Sequence, residues 1–492
     1  MVIELLGTRI VAPFYGNSLY VWSSLISVTM IALAVGYFIG GRWADSAQKT
    51  GVSVIIALAS LFTLLIPVVA KSVLLATDQF GLRLGVFLSA LLLFLPSLTL
   101  LGMVGPFAIK LATRQLDSIG NTAGTIYAVS TIGSVISTLA LGFFLLPVLG
   151  SREIFIVTGL LLSLLAISIG IIEKKYSLSQ LAITPCILVI LLNLALTPKV
   201  VNAAHSEQVS TEFKVVSEKE SLYGWVRVID QPRKNLRILT SDASAIGASN
   251  MNDGVSRLIY QDIVALLPKL HGSMKKVLIV GLGAGHMAGV LKSQYGLEVD
   301  TLEIDPAVQE AAEQYFGFRA NGASIVGDAR YEIRHLQGPY DLIIHDCFTG
   351  GSEPAHLLTT ETLEQLKSLL SENGLLALNF VAFKSDQHNH ALSSVAKTLK
   401  QVFNYSITYL SEPGKDFNDF IFLATHDVID VNASPLNLNQ KNWLNERRVE
   451  VSTENGTVLT DNFNSLEHQQ LAKSEYYRRF IVEWLGANVL LR

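Results

Sequence analysis

The sequence Val277-Leu-Ile-Val-Gly-Leu-Gly-Ala-Gly285 is followed, after the length of one helix, by Thr301-Leu-Glu-Ile-Asp305. A buried strand, a glycine turn and a second strand that ends in an acid are typical of a nucleotide-binding βαβ unit. Glycines in the turn would let the backbone approach a ligand, and Glu303 would accept hydrogen bonds from a ribose diol. The glycines are Gly281, Gly283 and Gly285. Their spacing fits an S-adenosyl ligand better than a dinucleotide, because no pyrophosphate requires a later glycine.

The composition indicates that this nucleotide-binding part is only one portion of the chain. Of 492 residues, 50% are hydrophobic and 16% are charged, whereas about 25% of residues in soluble proteins are charged. The apolar excess lies in residues 1–200, and residues 210–492 have an ordinary globular composition. The net charge of −4 gives no sign of a nucleic-acid partner. Two cysteines, Cys186 and Cys347, and scattered histidines predict neither a disulfide framework nor a metal site.

Five apolar stretches in the first part are long enough to cross a bilayer, which takes about 20 helical residues. They are Tyr20–Gly40, Val52–Leu75, Leu84–Met103, Ala123–Leu146 and Ile154–Ile172. A sixth stretch, Leu181–Leu196, is shorter and contains Pro185. The sequence therefore predicts a multi-span domain in the cell (inner) membrane, with the lipid bilayer as a partner. The opening residues leave room for a further helix before Met1.

Basic residues lie in the loops that follow alternate spans, and this predicts that these loops are cytosolic. The residues are Arg42, Lys49, Lys110, Arg114, Lys174 and Lys175. A complete sixth span would place the nucleotide-binding domain, which is the expected catalytic domain, outside and away from an S-adenosyl ligand, which is made in the cytosol. We therefore expect Leu181–Leu196 not to cross fully and the catalytic domain to be cytosolic.

After a polar linker near Asn202–Gln208 the pattern changes to short strands and then to alternating strands and helices. Phe213–Val216, Gly224–Ile229 and Leu236–Thr240 predict a small antiparallel sheet. From Lys276 onward the alternation predicts a doubly wound, mostly parallel sheet of the Rossmann-like class. The predicted domains are a membrane domain at 1–200, a β-strand domain at 201–245, a Rossmann-like domain at 246–430 and a helical C-terminal extension at 431–492.

Six motifs occur in the same order as in a known family. They are Tyr223-Gly-Trp-Val226, Arg257-Leu-Ile-Tyr-Gln-Asp-Ile263, the glycine loop, Leu302-Glu-Ile-Asp305, Val326-Gly-Asp-Ala-Arg330 and Tyr340-Asp-Leu-Ile-Ile-His-Asp-Cys347. Over about residues 210–425 the series resembles the spermidine synthase (polyamine aminopropyltransferase) family, whose fold is like that of S-adenosylmethionine-dependent methyltransferases. The first part looks like the members of that family that are fused to a multi-span membrane domain.

The resemblance implies roles for matching residues. Glu303 would hold the ribose hydroxyls, and Asp328 with Ala329 would bind adenine, Asp328 accepting from its amino group. Asp346 would accept a proton from, or orient, the attacking amine. The substrate end would be lined by Tyr223, Tyr260 and Gln261, with Thr349 at the position of a family acid. Apart from the resemblance, Glu353 lies on a glycine-containing loop that is expected to close over the cleft, where it would be able to meet an amine in place of a missing acid. The alternative is that Glu303 and Asp328 are surface acids that end strands and that Asp346 is a helix or turn cap; the glycine loop before Glu303 and Asp328 favours the binding role for these two.

Three positions depart from the family pattern. Ala284 replaces the acid that binds the ammonium end of decarboxylated S-adenosylmethionine, Thr349 replaces a second active-site acid, and Gly224 replaces a glutamine. Loss of two acids weakens the case for putrescine as acceptor, because a buried ammonium requires a charge partner. Ala284 would also remove a repulsion against the carboxylate of intact S-adenosylmethionine.

The sequence predicts a membrane-anchored transferase that moves an aminopropyl group from decarboxylated S-adenosylmethionine to a small-molecule amine such as putrescine. One alternative is a methyltransferase that uses intact S-adenosylmethionine. Another is a transporter or sensor that binds an adenosyl metabolite without turnover. The sequence does not fix the oligomeric state, and a homodimer is compatible with each alternative.

Overall fold

The computed structural model describes residues 1–16, 18–46, 51–113, 119–146, 148–172, 212–270, 274–348, 351–385 and 389–491. The chain divides into two compact units. The helical unit comprises Met1–Val209 and Ala487–Arg492, and the α/β unit comprises Ser210–Gly486. The predicted limits of smaller domains at residues 246 and 431 stay a prediction.

Together with short helical turns, six long helices lie in the described part of the helical unit. They are α1 (Val2–Tyr15), α2 (Leu19–Ser46), α3 (Val52–Thr77), α4 (Gly81–Ala112), α5 (Ile119–Ala140) and α6 (Ser151–Ile172). Four continuous helical segments among the described residues are long and apolar enough to cross a membrane, and the one at Val52–Ala112 contains both α3 and α4. All five predicted stretches fall on these helices. The sixth, Leu181–Leu196, lies outside the described residues.

Helix α1 was not predicted from the sequence. Glu4 and Arg9 interrupt its apolar pattern, but Leu6, Val11 and Phe14 are buried on one side of the helix. Tertiary packing of this apolar face therefore stabilises a helix whose polar residues hide its periodicity.

Glycines allow α2 and α4 to approach closely. A Cβ atom built on Gly36 would lie 2.4 Å from the carbonyl oxygen of Thr99, and one on Gly40 would lie 2.7 Å from the Cα of Met103. Small residues at such crossings are typical of helices that pack in a bilayer. Gly124 and Gly133, on α5, have no described atom within 4 Å of a built Cβ.

The α/β unit begins with a four-stranded antiparallel sheet in the order β1-β2-β3-β4. Its strands are β1 (Lys214–Glu220), β2 (Trp225–Gln231), β3 (Leu236–Ser241) and β4 (Ser244–Asn250). Strand β4 was missed from the sequence because Ser-Ala-Ile-Gly-Ala-Ser-Asn has low β propensity. It follows β3 through a two-residue turn at Asp242, so pairing across this turn forms the strand.

The main sheet has eight strands in the order β12-β10-β11-β9-β8-β5-β6-β7. They are β5 (Lys276–Val280), β6 (Glu298–Glu303), β7 (Ser324–Val326), β8 (Tyr340–His345), β9 (Leu370–Phe383), β10 (Tyr405–Leu410), β11 (Phe417–Thr425) and β12 (Arg448–Val449). Strands β7, β6, β5, β8 and β9 are parallel, and β11, β10 and β12 add antiparallel pairs. The doubly wound prediction is confirmed.

Helices cover both faces of this sheet. They are α7 (Tyr260–Leu270), α8 (His286–Tyr295), α9 (Pro306–Tyr315), α10 (Ala329–Glu332), α11 (Thr360–Ser368), α12 (His390–Val402), α13 (Leu438–Arg447), α14 (Leu466–Gln469) and α15 (Leu471–Leu485). Leu278 and Val280 pack into one core, and Val277 and Ile279 pack into the other. Alternate residues of a strand point to opposite faces, which explains the continuous apolar run in β5.

Two helices differ by about a turn from the limits that the residue pattern predicts. The amphipathic pattern of Ser256–Leu267 predicts a helix, but the helix begins only at Tyr260, since Ser256 forms a β-bridge to Ser249. The pattern also predicts a helix at Tyr331–Leu336, where the structure has one turn at Ala329–Glu332, which the Asp328 side chain caps at its start.

The strand order reverses between β5 and β8, which are neighbours in the sheet but are separated by β6 and β7 in the chain. Ligands of open α/β sheets bind beside the carboxyl ends of strands at such a switch point. The fold therefore places the residues after β5, β6, β7 and β8 at one edge, where four of the six sequence motifs lie.

Candidate active site

The glycine loop after β5 makes a sharp turn against the end of β8. The φ angles of Gly281, Gly283 and Gly285 are 96°, 54° and 77°, values that L-residues other than glycine rarely adopt. A Cβ on Gly281 would lie 2.2 Å from the backbone oxygen of Asp346. Both the backbone angle and the space therefore require glycine at Gly281.

Glu303, the last residue of β6, holds this loop in place. Its Oε2 accepts a hydrogen bond from the backbone N–H of Leu282 at 3.1 Å, and its Oε1 accepts one from Asp305 at 3.0 Å. Burial raises the pKa of Glu303 to about 7, although these backbone N–H groups favour the ionised form. Each carboxylate oxygen has a second lone pair, so both could also accept from a ribose.

Asp328 and Ala329 follow β7 at the same edge of the sheet. Asp328 is exposed, and its Oδ1 accepts from the backbone N–H of Tyr331 at 3.2 Å. Ala329 is buried beside it. The cap uses one carboxylate oxygen of Asp328, and the other could accept from a ligand amino group.

Asp346, the first residue after β8, is the centre of a hydrogen-bonded group. Its Oδ2 accepts from the hydroxyl of Tyr260 at 2.6 Å, and its Oδ1 accepts from Nδ2 of Asn379 at 2.9 Å. Gln261 donates from Nε2 to the Tyr260 hydroxyl at 3.3 Å. Burial raises the pKa of Asp346, opposed by the two donors. The structure thus brings together Asp346, Tyr260 and Gln261, which the motifs predicted, and adds Asn379.

Asp419 on β11 is a second acid in this region that the sequence motifs did not identify. Its Oδ2 accepts from the Ser411 hydroxyl at 3.2 Å. Burial, and then the negative charge of Asp346, raise the pKa of Asp419 to about 6. The signals in the sequence were an acid and an amide within apolar strands, at Asp419 and Asn379.

In this structure Glu353 pairs with the ammonium group of a lysine side chain of the same protein. Its Oε2 forms a buried ion pair with Nζ of Lys473, and its Oε1 accepts from the backbone N–H of Val381 at 2.8 Å. The Lys473 side chain is 4% exposed and that of Glu353 is 1% exposed. Burial raises the pKa of Glu353 and lowers that of Lys473, while each partner opposes the shift of the other.

Tyr223 lies in the turn between β1 and β2 and is 44% exposed. Its backbone N–H donates to the Ser221 hydroxyl, which in turn donates to Oδ2 of Asp305 at 2.6 Å. The turn is therefore hydrogen-bonded to Asp305, whose backbone N–H binds the Glu303 carboxylate. Thr349 lies outside the described residues, as does Gly350.

The side chain of Ala284 points into an apolar cluster. It is 4% exposed and packs with Val226, Val228 and Leu239 of the small sheet. A carboxylate at this position would be buried among these groups, which is costly without a partner. Restoring the family's acid by Ala284→Asp would therefore require the small sheet to move, in addition to any effect on donor choice.

Among the residues that the structure describes, no group of three or more histidine, cysteine, aspartate or glutamate side chains could hold a metal ion.

Comparisons with known proteins match this part of the chain. Residues 257–435 match the family model "Spermine/spermidine synthase domain". A polyamine aminopropyltransferase of Vibrio vulnificus is 31% identical over 205 residues, which are 39% of this chain and 68% of that protein. A spermidine synthase structure from Thermotoga maritima has 19% identity and a TM-score of 0.38, covering 55% of this chain and 87% of that one.

A methyltransferase is also similar. The N-terminal histidine N-methyltransferase of Emericella nidulans is 30% identical over 239 residues, which are 43% of this chain. The matched region spans only 42% of that protein. With the glycine loop, Glu303 and Asp346 at one edge of a doubly wound sheet, and with the aminopropyltransferase match, this chain belongs to the spermine/spermidine synthase family of transferases.

Proposed function

We propose that the α/β unit transfers an aminopropyl group from decarboxylated S-adenosylmethionine to the nitrogen of an amine. The observation that carries the proposal is the hydrogen-bonded group of Asp346, Tyr260 and Asn379 directly beside Gly281. The glycine loop, Glu303 and Asp328 would hold the nucleoside, with Asp346 at the reacting end. Such a transfer depends chiefly on alignment and an unprotonated nucleophile.

The chemistry follows from the balance of bonds. The amine lone pair forms a C–N bond as the C–S bond of the sulfonium breaks, and neutral methylthioadenosine leaves with the electron pair. The amine must lose one proton, and Asp346 would accept it or orient the N–H. Because burial raises the pKa of Asp346, its carboxylate is a stronger base than an exposed aspartate.

Methyl transfer from intact S-adenosylmethionine is the second candidate. The buried, uncharged Ala284 favours it, because this position offers no carboxylate to the ammonium group of a decarboxylated donor. The similarity to an N-methyltransferase supports the same alternative. The nucleoside product would then be S-adenosylhomocysteine.

Product analysis distinguishes these candidates. The full-length protein in detergent is incubated with either donor and with an amine, and the nucleosides are separated by chromatography. Amine-dependent methylthioadenosine from the decarboxylated donor is the expected result. Amine-dependent S-adenosylhomocysteine alone would replace aminopropyl transfer by methyl transfer, and no amine-dependent product with either donor would contradict both.

The ionisation of Glu303 predicts how binding depends on pH. Ribose hydroxyls donate best to an ionised carboxylate, and the pKa of Glu303 is raised to about 7. The affinity for methylthioadenosine should therefore fall as the pH decreases from 8 to 6, approaching roughly tenfold per unit below 7. Calorimetry at several pH values measures this dependence. Glu303→Gln should bind more weakly at pH 8 and lose the dependence; an unchanged slope in this variant would contradict the assignment.

We propose that the helical unit anchors the enzyme in a membrane and that the α/β unit is cytosolic. The four long apolar segments support a membrane location, and a cytosolic donor supports the orientation. Reporter fusions after Lys175 and after Ala204 should both report the cytosol. An external signal after Ala204 alone would overturn the orientation.

A further inference from the structure

The buried ion pair of Lys473 and Glu353 is attached to the candidate active site through β9. Val381, whose N–H binds Glu353, lies two residues after Asn379, whose side chain binds Asp346. Two residues of a strand span about 7 Å. The charges of Asp346 and Glu353 also raise the pKa of Asp419. The pair therefore borders the group of carboxylates that would receive an amine.

An aromatic surface completes the surroundings of the lysine ammonium group. Nζ of Lys473 lies 4.4 Å from the ring centroid of Phe380 and 6.0 Å from that of Phe348. Phe348 is two residues after Asp346. A carboxylate with aromatic rings is a favourable environment for an ammonium group, and in this structure a side chain of the protein occupies it.

The segment that supplies Lys473 is held firmly over this region. Gln470, just before α15, accepts from the backbone N–H of Glu353 at 3.1 Å and donates to the Glu353 carbonyl at 3.3 Å. Further along α15, the Tyr477 hydroxyl accepts from the backbone N–H of Ala245, and its ring contacts Phe348 edge to face. These contacts fix the position of Lys473. The segment lies beyond residues 257–435, which match the family model.

The pair changes the charge that the site offers to a substrate. Glu353 and Lys473 together carry no net charge, whichever of them holds the proton. Both oxygens of Glu353 already have donors within the chain. Asp346 and Asp419 are acids of this region whose hydrogen-bond donors Tyr260, Asn379 and Ser411 are uncharged, so that these two acids can meet an amine. A second ammonium group on the acceptor would thus lack the carboxylate that Glu353 would otherwise provide.

We propose that Lys473 takes the place of the second ammonium group of a polyamine, so that the site accepts a primary monoamine in preference to a diamine. The proposal rests on the proposed function and specifies its acceptor. Lys473 is then a specificity-determining residue, and helix α15 is part of the acceptor site.

The test compares two amines of equal carbon length, n-butylamine and putrescine, with the full-length protein in detergent. Binding is measured by calorimetry in the presence of methylthioadenosine, and turnover by release of nucleoside product. The wild-type protein should favour n-butylamine by at least tenfold. Lys473→Met leaves Glu353 free for an ammonium group. This variant should shift the ratio of the affinities for n-butylamine and putrescine at least tenfold toward putrescine. The matched control is Arg479→Met on the exposed side of α15, which should leave the ratio unchanged.

A second variant tests whether the carboxylate of Glu353 is the cause. Glu353→Gln combined with Lys473→Met removes both charges and should not gain affinity for putrescine. A wild-type protein that binds putrescine as tightly as n-butylamine would overturn the proposal, as would an unchanged ratio in folded Lys473→Met. If Lys473→Met does not fold, the ratio of the wild-type affinities for n-butylamine and putrescine tests the proposal by itself. Absence of turnover with every amine would contradict the proposed function alone, because the binding ratio still tests Lys473.

Discussion

Replacing Asp346 with asparagine is expected to lower kcat/KM for amine-dependent nucleoside release by about 10²–10⁴-fold, the usual contribution of a positioned acid or base. Asparagine preserves the size of the side chain but cannot accept a proton. Because Asp346 is assigned to the reacting end, the affinity for methylthioadenosine should remain close to that of the wild type.

The control for this variant is Asp427→Asn, which changes an exposed aspartate in the same unit. It should leave both turnover and nucleoside affinity unaltered. If Asp346→Asn retained wild-type kcat/KM, Asp346 would be a structural partner of Tyr260 and Asn379 and would have no part in the chemistry.

Gly281→Ala is expected to destabilise the protein by about 3 kcal/mol or more, because a strained backbone and a backbone clash act together. The new Cβ would lie 2.2 Å from the carbonyl oxygen of Asp346 at a φ of 96°. The end of β8 would have to move, and Asp346 with it. Thermal unfolding of the full-length protein should show a Tm lower by roughly 6 °C or more, together with loss of methylthioadenosine binding.

Gly289→Ala is the matched control for the glycine loop. Gly289 lies within α8, has no described atom within 4 Å of a built Cβ and lacks a positive φ. Alanine at this helical position should stabilise the protein by about 0.5–1 kcal/mol. Equal Tm values for Gly281→Ala and the wild type would contradict the geometry of the loop.

The sequence was informative where one local pattern determines the structure. Strand β5 and the glycine loop are contiguous, and the later motifs placed Glu303 at the end of β6 and Asp346 directly after β8, the two strands that flank β5. Asn379 and Asp419 were missed because they lie within the apolar strands β9 and β11. Only the antiparallel pairing of these two strands brings the two side chains to one end of the sheet.

Lys473 could not be predicted to reach Glu353 from spacing. The two residues are 120 positions apart, and α15 has an ordinary mixture of apolar and charged residues. From the sequence alone Glu353 is expected to meet a substrate amine, because an acid on a loop near Asp346 suits that role. Its partner within the chain depends on the packing of the C-terminal helix, a tertiary contact that no local motif records.

Binding of an S-adenosyl donor at the edge of the main sheet is tested most directly by calorimetric titration. The folded full-length protein is titrated with methylthioadenosine, S-adenosylmethionine and decarboxylated S-adenosylmethionine. We expect methylthioadenosine and at least one donor to bind, and Glu303→Ala to weaken this binding by about 1–3 kcal/mol. The absence of binding heat for all three ligands, or equal affinities in the wild type and Glu303→Ala, would contradict the claim.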